Sequence, residues 1–222
     1  LNGDGSQVGP EDAFGYGRFP GQYGMLLLSK YPIDQARARS FRQIPWASLP
    51  WADMPTEGGL PFPSAAAADV MRLSSKSHWD VSIRVVGQTL HIYASHPTPP
   101  VFDGPEDLNG RRNHDEIMFW VRYLEGEAFT DDQGREAPRR PTPFVVLGDL
   151  NADPFDGDGR HTAIRTLLSH PMVQDPGQES AGAAATDQNG ANASQKGPPA
   201  QDTADWRDTP GPGNLRVDYA LP

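Results

Sequence analysis

The segment Leu147-Gly148-Asp149-Leu150-Asn151-Ala152-Asp153 holds the residues best suited to chemistry in this chain. The apolar run Phe144 to Leu147 reads as a strand buried on both faces. It delivers a glycine, then a carboxylate, then a carboxamide two residues later. Residues two apart on an extended segment point the same way. Asp149 can therefore ligate a hard cation or act as a base, while Asn151 hydrogen-bonds a phosphate oxygen. Asp153, Asp156 and Asp158 follow among glycines and a proline, where turn and cap chemistry is the default use of a carboxylate.

Other groups invite the same question. Ser95-His96-Pro97 closes an apolar strand, which places His96 toward a cleft at a sheet edge, although a lone histidine there is more often structural. His78 stands at a strand start and is a lesser candidate. His91 reads as a surface or packed residue, and His161 and His170 as surface residues flanking a helix. Arg111 and Arg112 open a helix, where cations oppose the helix dipole. Either a phosphate or carboxylate meets them, with Arg112 a candidate phosphate contact, or they pair with Asp107, Asp115 or Glu116. Asp218 sits between the strand formers Val217 and Tyr219. A buried carboxylate without a partner is costly, so a histidine, metal or arginine is expected beside it. At the start, Leu1 to Asp12 looks like an EF-hand-type calcium loop without its first aspartate, with Asn2, Asp4 and Glu11 as ligands. The alternative is a polar Gly-rich tail, since Gln7 stands where that loop expects an apolar residue.

The elements that must position these groups follow from patterning. Tyr23 to Leu28 reads as a buried strand, ended by Tyr31-Pro32. Phe41 to Ala68, with five prolines, Trp46 and Trp51, reads as a long ordered loop. Trp79 to Val86 and Thr89 to Ser95 read as a hairpin turning at Gly87-Gln88. Asn109 to Leu124 has helical spacing, with Asn109 as a cap. Arg160 to Leu168 reads as a helix with Ile164, Leu167 and Leu168 inward. Residues 177–203 lack periodicity and read as a flexible loop. Leu215 to Leu221 alternates as one strand. Strands joined both by hairpins and by helices give an α/β (α+β) layered class.

The composition narrows the chemistry. The chain has 222 residues, with Lys+Arg 19 against Asp+Glu 29, a net charge of −10. That length suits one domain. The charge disfavours a bulk electrostatic grip on nucleic acid, though local contacts to a phosphate stay open. With no cysteine, disulfides, thiol nucleophiles and thiolate metal sites are excluded. No run approaches the roughly 20 apolar residues of a membrane-spanning helix.

Four segments, in order, resemble the endonuclease/exonuclease/phosphatase superfamily, the deoxyribonuclease-type or exonuclease-III-type phosphoesterases. Gly24-Met25-Leu26-Leu27-Leu28-Ser29-Lys30-Tyr31-Pro32-Ile33 is similar to that family's G-x-x-[IL]-L-S-[KR]-[YF]-P-[IL] segment. Ala94-Ser95-His96 is similar to its T/S-H strand end, Gly148-Asp149-Leu150-Asn151 to its G-D-x-N motif, and Arg216-Val217-Asp218-Tyr219 to its R-[IL]-D-Y segment. The resemblance implies a four-layer α/β/β/α sandwich of two mixed sheets. It implies hydrolysis of phosphate esters by water with magnesium or manganese, at Asp149 and Asn151. Asp149 then positions or activates the water, Asn151 and His96 hold the phosphate, and Asp218 orients a catalytic histidine. The family's metal-binding Glu and its S-D-H histidine have no counterpart here. The chain is therefore expected to lack the first and last strands and to turn over weakly or not at all as it stands. The alternative is a non-catalytic, calcium-stabilised binding or scaffold domain. Residues 1–12 are taken as the truncated calcium-type loop and 13–222 as the catalytic-type domain. The expected partner is a phosphate ester: nucleic acid, phospholipid headgroup or small phosphoester. A monomer and an extracellular or periplasmic location are expected.

Overall fold

The computed structural model describes residues 5, 6 and 8–222, so Asn2 and Asp4 of the calcium-type loop lie outside the described residues. Glu11 lies in a single 3-10 turn, Pro10–Asp12. The central sheet has five strands, β1 (Arg39–Ser40), β2 (His78–Val85), β3 (Gln88–Ser95), β4 (Phe144–Asp149) and β5 (Asp218–Leu221), adjacent in that order. All neighbours are antiparallel except β3 and β4, which are parallel. Among the described residues four α-helices accompany it: α1 (Ala65–Val70), α2 (Leu108–Leu124), α3 (His161–Leu168) and α4 (Ala181–Ala184). Parallel neighbours need a crossover, and α2 supplies it between β3 and β4.

The hairpin β2–β3 forms where the alternation predicts it, but the turn is Val86-Gly87, one residue earlier than read. Both residues have positive φ, 47° and 80°, as a two-residue type I′ turn requires. Gly87 adopts this freely. Val86 is tolerated there with its side chain in solvent.

One face of the sheet carries the main core. Tyr93, Val146, Tyr219 and Leu221 meet Ile117, Trp120, Val121 and Leu124 of α2 and Ala163, Ile164 and Leu167 of α3. Tyr93 stacks on Trp120 with centroids 5.3 Å apart and planes 10° apart. The opposite face carries a small cluster, Val81, Ile83 and Ile92, with Val145 and Leu147 half-buried around it. The strand Phe144–Asp149 is thus deeply buried on its helix side and half-buried on the other, which corrects the expectation of burial on both faces. The α/β class holds, with helices on a mixed sheet. The described residues build one such sheet and three two-stranded ribbons, not a facing pair of large sheets.

Three expected elements differ. Tyr23 to Leu28 forms no strand, and Leu26 and Leu28 are 80% and 82% exposed. An extended segment needs a neighbour for its backbone hydrogen bonds, and among the described residues none pairs with it. Leu27 packs on the small cluster of the sheet, but backbone pairing begins only at Pro32 and Ile33, where the Pro32 carbonyl accepts the Arg84 N–H, Ile33 bridges Ile83 and the Asp34 N–H donates to the Ser82 carbonyl at 2.9 Å. The alternating stretch Leu215 to Leu221 is two strands: Asn214–Leu215 pairs with Ala204–Asp205, and β5 begins at Asp218. Asn109 lies inside α2 rather than capping it. Its N–H, at 2.5 Å, is received by the Asp103 carboxylate from the preceding loop. Residues 177–203, read as flexible, contain α4 and two 3-10 turns, Gly190–Ser194 and Pro199–Gln201. No described helix is long and apolar enough to cross a membrane.

Candidate active site

The ends of β3 and β4 leave the sheet side by side because they run parallel, with Ala94 opposite Leu147. Gly148 lets them close up. A Cβ there would lie 2.0 Å from the Ser95 carbonyl oxygen, and its φ is +148°. Immediately beyond, His96 Nε2 stands 3.6 Å from Asp149 Oδ2, both side chains about one-third exposed. The other Asp149 oxygen accepts the Asn151 N–H at 2.8 Å. Asn151 has φ +49°, a conformation that asparagine tolerates better than most residues. Its side-chain amide donates to the Pro97 carbonyl at 3.0 Å, which leaves its second N–H available. Asp149 is also the register partner of Asp218 across β4–β5. Four of the sequence candidates, His96, Asp149, Asn151 and Asp218, therefore share one edge of the sheet.

Their ionisation follows from burial and neighbours. Burial raises the Asp149 carboxyl above the ordinary range, and the Asp218 charge adds to this, while the Asn151 N–H and Lys76 oppose it. Burial, helped by Lys76, lowers His96 to about 4. His96 is thus neutral near pH 7, and its contact with Asp149 is imidazole to carboxylate rather than an ion pair. Asp218 is exposed, so the desolvation argument for a required partner does not apply to it. Its backbone N–H donates to Thr203 Oγ1 at 2.9 Å.

Arg112 is committed elsewhere. Its guanidinium donates to the carbonyls of Leu73, Arg72 and Phe14, at 2.9, 2.7 and 3.0 Å, tying the chain ahead of β2 to α2. Arg111 pairs with Asp53 and donates to the Glu106 carbonyl. Arg216 is held by the Asp175 carboxylate through two bonds. Asp153 accepts the N–H groups of Phe155, Asp156 and Arg216, the turn chemistry its context suggested. His161 Nδ1 meets the Asp153 carbonyl at 2.8 Å, and His91 is fully packed against Asp80.

Two residues that sequence reading did not assign to the site hold it together. Asn113 of α2 donates to the carbonyls of Thr98 and Leu150 at 2.8 and 3.0 Å, joining the loops that carry His96 and Asn151. Glu116, one turn on and fully buried, accepts Ser75 N–H and Thr98 N–H, both at 2.7 Å. Its ionised form is opposed by burial, so its pKa is raised. The signal was available: Asn113 and Glu116 share the inward spacing of Ile117 and Trp120, so two polar side chains lie on a face that patterning marks as core. Lys76 was also missed. It is half-buried, donates to the Pro97 carbonyl at 3.2 Å, and lies within electrostatic reach of both His96 and Asp149.

His78 lies outside this edge, buried beneath α2. Its Nδ1 faces Ser74 Oγ at 2.5 Å, and its Nε2 donates to the Glu116 carbonyl at 2.8 Å. Burial lowers its pKa to about 4. Unfolding restores an ordinary value, so between about pH 6.5 and 4 the unfolded chain binds the extra proton. Stability from this group is complete above pH 6.5 and is lost as pH falls toward 4, by about 3 kcal/mol. Glu116, with a raised pKa, contributes the opposite slope. Melting temperatures of the protein and a His78→Gln variant across this range should show a shallower acid decline in the variant.

A divalent cation would find two carboxylates here, Asp149 and Asp218, with the Asn151 amide beside Asp149. Magnesium keeps several waters and commonly takes one or two carboxylates with substrate phosphates, so this oxygen donor set fits it. Among the described residues no group of three or more His, Asp and Glu side chains forms a fuller cage.

Similar solved structures include an endonuclease/exonuclease/phosphatase family protein from Leptotrichia buccalis C-1013-b, at 16% identity and TM-score 0.41, covering 87% of this chain and 50% of that one. Sphingomyelinase C from Streptomyces griseocarneus matches at 17% identity and TM-score 0.40, covering 87% and 50%. A β-hairpin deletion mutant of beta toxin from Staphylococcus aureus matches at 15% and 0.37, covering 87% and 51%. The chain thus spans about half the length of these structures. Among curated proteins none matches. The family model described as Endonuclease/Exonuclease/phosphatase family matches residues 2–222, and the chain belongs to that family.

Proposed function

We propose that this chain carries the core of a metal-dependent phosphoester hydrolase, of phosphodiesterase or nuclease-like type, in which water attacks phosphorus. The observation that supports it is the convergence of His96, Asp149 and Asn151 at one sheet edge, with Asp149 poised between the imidazole and the Asn151 N–H. Asp149, raised by burial, is a stronger base than a solvated carboxylate and takes the proton as the water oxygen bonds to phosphorus. The bond from phosphorus to the leaving oxygen breaks, and that oxygen recovers a proton from solvent. Neutral His96 and the free N–H of Asn151 donate to non-bridging phosphate oxygens, where negative charge grows. Magnesium or manganese at Asp149 and Asn151, with Asp218 adjoining, would supply neutralisation of that charge.

Asn113 and Glu116 do not touch the substrate in this reading. They fix the loops at residues 97–98 and 150–151, which matters because reacting groups must be held within a fraction of an ångström. An exported location, extracellular or periplasmic, belongs to the same proposal and rests on the acidic balance and the calcium-type loop of the sequence.

The test is hydrolysis of bis-p-nitrophenyl phosphate and of plasmid DNA with magnesium, manganese, calcium or EDTA. Slow turnover with magnesium or manganese that EDTA abolishes is the expected result. Absence of turnover with every metal favours the non-catalytic alternative.

A further inference from the structure

Lys76 also lines a groove of about 680 Å³ next to the candidate active site. Its walls come from the segment 13–25 and from Arg42, Arg72, Trp79 and one carboxylate, Asp132. The groove is cationic in an acidic chain. Among the described residues, no carboxylate lies within ion-pairing distance of Arg42, Arg72 or Lys76. The acid that might serve, Asp132, is occupied: it accepts Ser40 Oγ at 2.6 Å, Gln43 N–H at 2.8 Å and Arg42 N–H at 3.3 Å. Burial and the neighbouring Arg42 charge lower the Arg72 pKa, partly offset by Asp132. Two guanidinium charges facing one groove, with no carboxylate bonded to either guanidinium, are relieved by an anion.

The rest of the groove suits a substrate body between two anionic groups. The Arg72 guanidinium lies 3.4 Å above the Phe14 ring, which fixes its plane and leaves its edge to donate. Tyr16 and Tyr23, with ring centroids 6.4 Å apart, are about half exposed and offer ring faces. Lys76 belongs to both regions, since its ammonium lines the groove and acts on His96 and Asp149.

We propose that this groove binds a second phosphate of the substrate, held by Arg42 and Arg72, with Lys76 shared between that phosphate and the reacting one. The proposal rests on the phosphoesterase reading and deepens it: the favoured substrate carries at least two phosphates. A single phosphate ester leaves the Arg42–Arg72 pair without its anion.

The test is calorimetric binding, read in an Asp149→Asn background so that no turnover intervenes. The probes are a dithymidine phosphodiester with and without a terminal phosphate, and butanediol bisphosphate against butyl phosphate. The added phosphate should tighten binding about tenfold, the scale of a charge-assisted hydrogen bond. That gain should vanish in an Arg42→Gln/Arg72→Gln variant whose melting temperature is unchanged. Arg42 is exposed and Arg72 stacks outside the main core, so folding should survive. A gain in both probe pairs supports recognition of phosphate itself, and a gain only with dithymidine supports a nucleotide source. No gain in either pair, or a gain that persists without both arginines, overturns the proposal. A phosphate gain alongside a hydrolysis rate insensitive to Asp149→Asn would instead sink the phosphoesterase reading and leave the groove standing.

Discussion

Gly148→Ala should destabilise the protein by about 3 kcal/mol or more, through overpacking and backbone strain together. The added methyl would sit 2.0 Å from the Ser95 carbonyl oxygen, a main-chain atom with no flexible end to move aside. The strand must therefore shift away from β3, against the pairing of Ala94 with Leu147. The φ of +148° adds a second cost, since residues with a Cβ avoid it. The same shift carries Asp149 away from His96, so activity should fall beyond what unfolding explains. Chemical denaturation gives the stability change, and rates measured well below the melting range give the other. A wild-type denaturation midpoint in Gly148→Ala would show that the two strand ends are not closed as described.

Asp149→Asn should cost about a hundred- to ten-thousandfold in hydrolysis rate, the range for removing a positioned acid–base group. The amide keeps the shape of the carboxylate. Its oxygen can still accept the Asn151 N–H, so the turn at 149–151 should persist and stability should change little. It removes the charge proposed to accept the proton of the attacking water. It also removes a half-buried charge beside Asp218, so melting temperature should hold or rise. A large rate loss without a stability loss would separate a chemical role from a structural one. His96→Ala should lose rate in the same assay, because a neutral donor next to the phosphate disappears.

The sequence made much of this site readable, for identifiable reasons. Asp149 and Asn151 stood out because a continuous apolar strand led straight into them. His96 stood out because a proline followed it at a strand end. The β2–β3 hairpin and helices α2 and α3 were legible because period-two and period-3.6 patterns are strong over such lengths. Tyr23 to Leu28 misled because an apolar run shows only that a segment can pair, not that a neighbour is there to pair with. Leu215 to Leu221 misled because alternation continues across a break at Arg216-Val217, whose N–H groups donate to the Asp153 and Thr203 side chains rather than to a strand. Arg112 was read as an anion contact from its place near a helix start. Three carbonyl acceptors contributed by distant loops satisfy it, and no local pattern encodes them. Glu116 and Asn113 were hidden for a related reason: their partners at Ser75, Thr98 and Leu150 lie far apart in the chain.

The central claim is that His96 and Asp149 act on one phosphate as a unit. It is tested most directly by initial rates of bis-p-nitrophenyl phosphate hydrolysis for the protein, Asp149→Asn, His96→Ala and the double variant, with magnesium or manganese present. Groups that act as a unit are strongly non-additive. Severe loss is expected in each single variant, and a double variant little slower than the worse of the two. Full activity in both single variants, or losses that simply multiply in the double, would contradict it.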